Sequence, residues 1–565
     1  MLATVLLIAC AGPGKAPGGG TGQPLPAAPK SIVIGIVEEP VGFGPFNTHT
    51  SGGGAQQIEE IAHRYLATLD GQTHPQPDVA AELPSLEDGS WIIRSDGTMQ
   101  TAFQLRTNVR WHDGAAMVAD DWVFGWEVDH DPTMPNVALV PIRYISQASA
   151  IDDNTLVLDW SQTFPFANGL TRGQINPLQR ARFESVYQAD HERFISSPAW
   201  STEFIGLGPY RIADWTQGAQ LKFQSFDAFY LGKPKVDTIV VRFMRDPNTL
   251  LANILADAID VYLPLGLLQE AVVDLRRSWA APDTGNRVLI YPDGRLRFVE
   301  VQWRPDLQKP KALSDRRVRE ALYRSIDRQS LADAIIPTGA QGADSWLLPN
   351  DPLRATVFKG TIPTYSFDRA ASVRLLQQAG FRRGADGIMA NPAAGERFET
   401  LVWNTNGGGN EKENSIVADS LRSVGIAAEQ YILPASLLDD SAARASFPGI
   451  SISARTVTAE FENAQLRYRE PTRTAPLGAP RGGYNNTEVN DLVDRLQITI
   501  PDDERAQITR QIMERVLRDL QLMPLYWNVE TLTIRKGVTG PEGRTGRYNQ
   551  YPLATWNVYA WDINR

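Results

Sequence analysis

Met99-Gln-Thr-Ala-Phe-Gln-Leu-Arg-Thr-Asn-Val-Arg-Trp-His-Asp-Gly114, followed by Val118-Ala-Asp-Asp-Trp-Val-Phe124, is the stretch on which the fold turns. Apolar residues recur at Met99, Ala102, Phe103, Leu105, Val109 and Trp111, a strand-like alternation. His112-Asp113-Gly114 then breaks the run as a turn. Asp120-Asp121 reads as the cap of a helix carrying Trp122, Val123 and Trp126. Strand, turn and capped helix in quick succession are the grammar of a mixed α/β chain.

The pattern repeats outward. Upstream, Ser31-Ile-Val-Ile-Gly-Ile-Val37 is a β-branched run of strand length. Ile58, Ile61, Tyr65, Leu66 and Leu69 have helical spacing, so residues 55–69 are expected to be helical. Downstream, Thr155–Trp160 and 235–243 read as strands. Helices are expected after Ser314 and after Asp368, over 411–424 and over 502–520, with Gly380 and Gly425 as stops. No fixed-period repeat occurs, which argues against solenoids and propellers.

The chain has 565 residues, enough for three or four domain-sized units at roughly 150 each. Its net charge of −10 excludes a broadly cationic nucleic-acid surface. The one cysteine, Cys10, excludes structural disulfides and a Cys-built zinc site. Six histidines all fall before residue 192, and no pair has the i, i+4 spacing of a helical metal site. There is no G-x-S-x-G elbow, so no hydrolase signature stands out. No catalytic residue, metal or cofactor is expected.

Residues 2–9 are an apolar run ending at Cys10, and Leu7-Ile8-Ala9-Cys10 looks like a bacterial lipobox. Residues 11–29, rich in Gly, Pro and Ala, read as a flexible tether. Lipidation is therefore expected at Cys10, with residues 1–30 as signal remnant, lipobox and tether. A secretion signal starts with Lys or Arg, and none precedes Cys10, so the expected signal begins upstream. The reading makes the body an exported, lipid-anchored protein, periplasmic or at the cell surface, and a monomer.

The order of further blocks is similar to the family-five extracellular solute-binding proteins of bacterial ABC importers, which take up peptides, opines or nickel chelates. Leu105–Gly114 with Val118–Phe124 carries the likeness most clearly. Gly206-Leu-Gly-Pro-Tyr-Arg-Ile212, Phe229-Tyr-Leu-Gly-Lys-Pro-Lys235 and Ala256-Asp-Ala-Ile-Asp-Val261 follow. Ser314–Leu322, Ala379-Gly-Phe381, Gly483-Tyr-Asn485 and Met523-Pro-Leu-Tyr-Trp527 complete the series.

The resemblance implies a two-lobe, Venus-flytrap α/β fold with an inserted subdomain. Lobe I would comprise 31–75, 203–295 and 536–565, the insertion 76–202, and lobe II 296–535. It implies capture of a peptide-like solute in the interlobe cleft and delivery to ABC permease and ATPase subunits by hinge closure. The alternatives are a non-peptide solute (oligosaccharide, opine or metal chelate) and a sensory or adhesive lipoprotein on the same scaffold.

In peptide-binding relatives an acidic residue within a Trp-x-x-Asp-type stretch holds the ligand's ammonium group. Here that stretch is 449–462, where the Trp and Asp are absent and Arg455 stands among hydroxyl residues. Glu460 or Glu462 would substitute, or Arg455 would clamp a ligand carboxylate, or Arg455 pairs with a neighbouring acid. Trp403, Asn404 and Asn406 end a strand whose family loop faces the cleft, with core packing the other reading for Trp403. Phe46, Asn47 and Thr48 match a loop that borders the ligand in relatives, and Trp346, Trp303 and Trp527 are weaker candidates.

Overall fold

The computed structural model describes residues 29–564 apart from 45–53, 71–73, 136–140, 350, 352, 360–361, 408, 459–460, 474 and 544–552. Phe46, Asn47, Thr48, Glu460 and Cys10 lie outside the described residues. A ten-stranded mixed sheet runs through the molecule. In chain order its strands are β1 (Ser31–Ile36), β2 (Tyr210–Thr216), β3 (Gln220–Ser225), β4 (Thr238–Phe243) and β5 (Val261–Tyr262). They continue with β6 (Arg287–Val301), β7 (Glu399–Thr405), β8 (Ala427–Leu433), β9 (Ile450–Thr456) and β10 (Leu522–Ile534). Their spatial order is β8-β7-β9-β6-β10-β5-β1-β4-β3-β2.

β6 and β10 are the long central strands, and each belongs to more than one core. Leu289 and Tyr291 of β6, with Leu532 and Ile534 of β10, pack with Ile32, Ile34, Val241 and Trp561. Further along, Val299, Val301, Met523 and Tyr526 enter a core with Val402 and Val417, while Leu296, Phe298 and Trp527 enter another with Val489 and Ile512. The β6–β10 ladder loses register between Pro292 and Leu296, at the change of core. On β10 the change falls between Val529 and Leu532.

A separate antiparallel sheet, strands Trp91–Ile93, Met99–Gln104, Thr155–Trp160 and Ile145–Asp152 in spatial order, surrounds its own core of Met99, Phe103, Trp111, Trp122 and Trp160. The block that opened the sequence analysis explains how this unit is fastened. Trp111 Nε1 donates to Asp121 Oδ2 at 2.9 Å, and the same oxygen accepts the Val118 N–H at 3.2 Å. Val118, not Asp120, is therefore the helix N-cap, and Asp121 serves from the third helical position of Ala119–His130. Asp120 instead pairs with Arg180 at 2.8 Å. Gly114, at φ +93°, closes the turn in a conformation a side chain resists.

His112 is a staple between the two units. Its Nδ1 accepts the Gly206 N–H at 3.1 Å and its Nε2 lies 3.0 Å from the Gly208 carbonyl, a pairing that requires the neutral ring. Burial pushes its pKa down to about 4, and that of neighbouring His63 down to about 3. A Cβ on Gly208 would sit 2.3 Å from the Ala62 carbonyl carbon, so this close approach of the two segments needs glycine.

Two expected elements differ. The helix expected over 55–69 stops at Ala62, where the chain extends at His63 and re-enters as a strand, Ala67–Leu69. The Ala62 carbonyl there accepts the Gly208 N–H at 3.0 Å, so a tertiary bond takes the place of helix continuation. Ile58, Ile61, Tyr65, Leu66 and Leu69 are still all buried. Asp315, not Ser314, caps the helix Arg316–Ser325, accepting the Arg317 N–H at 2.8 Å. The Asp368 cap and the expected strands at 31–37, 155–160 and 235–243 are present within a few residues.

Candidate functional site

Strands β7 and β9 are parallel neighbours, with Val402 beside Ile450 and Trp403 beside Ser451. A ligand recess is expected outside the carboxyl ends of such strands, where loops diverge. One lies there, about 550 Å³ of open space, lined by Trp403, Thr405, Ser451, Ser453, Arg444 and Arg481 among others. Arg297 of β6 also lines it, one residue and so roughly 3 Å along the strand past Leu296, where the register resumes. The recess therefore adjoins the strands that join the two halves of the sheet.

Alternation along the strands sorts its residues. Asn404 faces the core side, fully committed to structure. Its Nδ2 donates to Glu413 Oε2 at 2.9 Å and to the Asn410 carbonyl at 3.2 Å, and its Oδ1 accepts the Thr405 N–H at 2.9 Å. Glu413 is buried and forms an ion pair with Arg297, whose Nε donates to Oε1 at 3.1 Å. Tyr526 donates its hydroxyl to the same Glu413 oxygen at 2.8 Å. This buried network is the floor beneath the recess.

The other face carries Trp403 and Thr405 of β7 and Ser451, Ser453 and Arg455 of β9. Trp403 lies 4.3 Å, centroid to centroid, from Tyr431 of β8, and its buried indole N–H has no hydrogen-bond partner. Thr405 Oγ1 accepts from Asn410 at 3.1 Å, and Ser453 Oγ accepts from Arg481 Nη1 at 3.2 Å. Both hydroxyls keep a hydrogen to donate. Arg444 and Arg455 each have a buried Nε without a partner. None of Arg444, Arg455 and Arg481 forms an ion pair among the described residues, and no carboxylate lines the recess.

The remaining sequence candidates scatter. Asn406 is exposed at the rim, just beyond β7. Trp346 and Glu462 are buried away from the recess and bonded to each other, Nε1 to Oε1 at 2.9 Å, in the core that also holds Trp527. Trp303 is sandwiched by the Arg319 guanidinium at 4.3 Å and by Tyr484. Arg444 and Arg481 were not singled out from the sequence, because neither sits in a distinctive local pattern.

At the register break itself, Asp293 and Glu530 are buried side by side. Arg295 Nε donates to Asp293 Oδ2 at 2.6 Å, its Nη2 reaches Glu530 Oε1 at 3.3 Å, and the Leu265 N–H donates to Glu530 Oε2 at 3.2 Å. Leu265 holds a φ of +81°, a strained value for leucine. Burial first, and then the neighbouring Asp293 charge, push the Glu530 carboxyl up to about 8.

Two halves of one sheet joined by two long strands, with a donor-lined recess beside the junction, define a two-lobe binding protein. A family model described as "Bacterial extracellular solute-binding proteins, family 5 Middle" matches residues 74–461, and the chain belongs to that family. It is 22% identical over 413 residues to the oligopeptide-binding protein AppA of Bacillus subtilis, covering 72% of this chain and 70% of AppA. Among solved structures, HbpA2 from Haemophilus parasuis superposes with a TM-score of 0.74 at 16% identity, covering 95% of this chain and 100% of HbpA2. NikZ from Campylobacter jejuni in complex with Ni(L-His) gives 0.70 at 20% identity, covering 94% and 100%. The fold is the two-lobe periplasmic-binding-protein α/β fold. No helix among the described residues is long and apolar enough to cross a membrane.

Proposed function

We propose that the protein is the substrate-binding component of an ABC importer that captures a peptide-like solute between its lobes and presents it to the permease. The observation that carries this reading is the donor-lined recess at the carboxyl ends of β7 and β8, alongside β9 and next to the strands that join the lobes. Oligopeptide binding by AppA supports the peptide class.

In this reading lobe I is 31–75, 203–295 and 536–565, the insertion is 76–202 and lobe II is 296–535. The change of core along β10, between Val529 and Leu532, supports a second crossing close to Glu530. Closure needs torsional change only where β6 and β10 exchange cores, while each lobe moves as a packed body. Solute that contacts both lobes favours the closed form by its differential affinity, and no covalent step is involved. Trp403 supplies an aromatic face, Asn406 a rim amide, and water fills the volume a given side chain leaves. Cys10, lipidated, would hold the body on the membrane through the tether, leaving it exported and monomeric.

A thermal-shift panel tests the class of solute: di- to pentapeptides, cello- and xylo-oligosaccharides, and nickel–histidine. A ligand at one hundred times its dissociation constant adds about 2.7 kcal/mol of stability. Peptides are expected to raise the melt. A shift from sugars alone or from nickel–histidine alone refutes the peptide reading.

A further inference from the structure

We infer that the recess between the ends of β7 and β8 and the flank of β9 is an anion site, and that the solute enters it by a carboxylate or chemically similar group. The inference deepens the solute-binding reading and rests on it. Arg444 and Arg481 line the recess from the helix Ser441–Ala445 and from the loop before Tyr484, and Arg455 stands beside it, two residues past the lining Ser453 on the same face of β9. All three are half-buried.

Half-buried guanidinium groups are ordinarily matched by a carboxylate, because partial desolvation without a counter-charge is costly. Several of the protein's other sheltered arginines are matched in this way, Arg297 with Glu413, Arg172 with Glu59 and Arg295 with Asp293, while Arg304 and Arg319 spend their donors on backbone carbonyls. Among the described residues no carboxylate lines the recess, and the Nε atoms of Arg444, which lines it, and of Arg455 beside it are buried with no acceptor.

The polar groups between the arginines have the same sense. The Trp403 indole is a donor without a partner. The Thr405 and Ser453 hydroxyls have each already accepted a bond, from Asn410 and from Arg481, and have a hydrogen left to give. The one amide that lines the recess, Asn404, is already bonded to Glu413, Asn410 and Thr405. A wall whose uncommitted side-chain groups are donors selects an acceptor-rich, negatively charged guest. A ligand ammonium placed there would meet only like charge.

The test uses the intact protein and two probes, citrate and trialanine, followed by thermal shift and calorimetry. Trialanine is compared with its C-terminal amide and its N-acetyl form. Citrate is expected to raise the melt, and Arg444→Gln or Arg481→Gln to weaken its binding about tenfold or more, the loss of one charge-assisted contact. Arg444→Lys, which keeps charge but not the fork, is expected to recover part of it. Circular dichroism confirms that each variant is folded.

Trialanine is expected to bind as the free acid and as the N-acetyl form, and to lose affinity as the amide. Citrate binding without trialanine binding sinks the peptide reading and leaves the anion site standing. Trialanine binding that is equal for acid and amide sinks the anion site and leaves the peptide reading standing. Citrate binding unchanged in all the arginine variants also overturns the inference.

Discussion

Removing the Glu413 charge is expected to loosen the floor of the recess far more than an ordinary surface change. Glu413 and Arg297 have side-chain exposures of 1% and 10%, so water screens their interaction little. Breaking a buried ion pair from one side costs about 3–5 kcal/mol, because the remaining charge stays buried. Glu413 also accepts from Tyr526 and Asn404, so the loss spreads to β7 and β10. The assay is native-state hydrogen exchange of the helix Asn410–Ser423, which carries Glu413. At roughly 1.4 kcal/mol per decade, Glu413→Gln is expected to speed its slowest amides by roughly two to three and a half decades. The double variant Arg297→Met/Glu413→Gln removes the stranded cation and leaves the Gln carbonyl as acceptor for Tyr526 and Asn404. It is expected to recover about 2 kcal/mol or more of that loss. Exchange less than about fivefold faster in Glu413→Gln, roughly 1 kcal/mol, refutes the argument that this pair holds the floor.

Three further outcomes follow from groups elsewhere in the fold. His112 has a folded pKa of about 4 against an ordinary 6.5, so its stabilisation is complete above pH 6.5 and lost as pH falls toward 4, on the order of 3 kcal/mol. Thermal melts between pH 7 and 4 should show this slope, and a His112→Gln variant with the same slope contradicts it. Glu530 is the opposite case: with its carboxyl raised to about 8, its contribution is full below its ordinary 4.5 and fades as pH rises through 8. Glu530→Gln should flatten the decline in melting temperature between pH 5 and 9, and an unchanged decline counts against a protonated Glu530 at the crossing. Gly208→Ala, whose Cβ would lie 2.6 Å from the Ile61 carbonyl oxygen, should cost about 1–3 kcal/mol in unfolding experiments. A wild-type melt for that variant means the crossing is looser than described.

Much of the fold was legible because its signals are local. The β-branched run at 31–37, the Asp368 cap and the glycine stops at 380 and 425 depend on residues within a turn or two. Where the reading slipped, a distant partner decided the outcome: helix 55–69 gives way at Ala62 because Gly208, far along the chain, takes its carbonyl. The site was legible in part. Trp403, which lines the recess, stands out in the sequence as an aromatic beside amides, and Arg455, which stands next to it, as a cation among hydroxyl residues. Asn404 has the same neighbourhood in sequence, yet strand alternation turns it to the core and Glu413 claims it. Trp346 and Glu462 are 116 residues apart and bond to each other in the interior. Arg444 and Arg481 carry no pattern of their own; only the assembled sheet gathers them around the recess.

Small-angle X-ray scattering of the intact protein, alone and with saturating trialanine, tests the central claim most directly, with mass spectrometry of the same sample. A contraction of the radius of gyration, with the peptide recovered chemically unchanged, is the predicted result. Superimposable curves at proven saturation, or a cleaved or modified peptide, would contradict a clamp that works by closing alone.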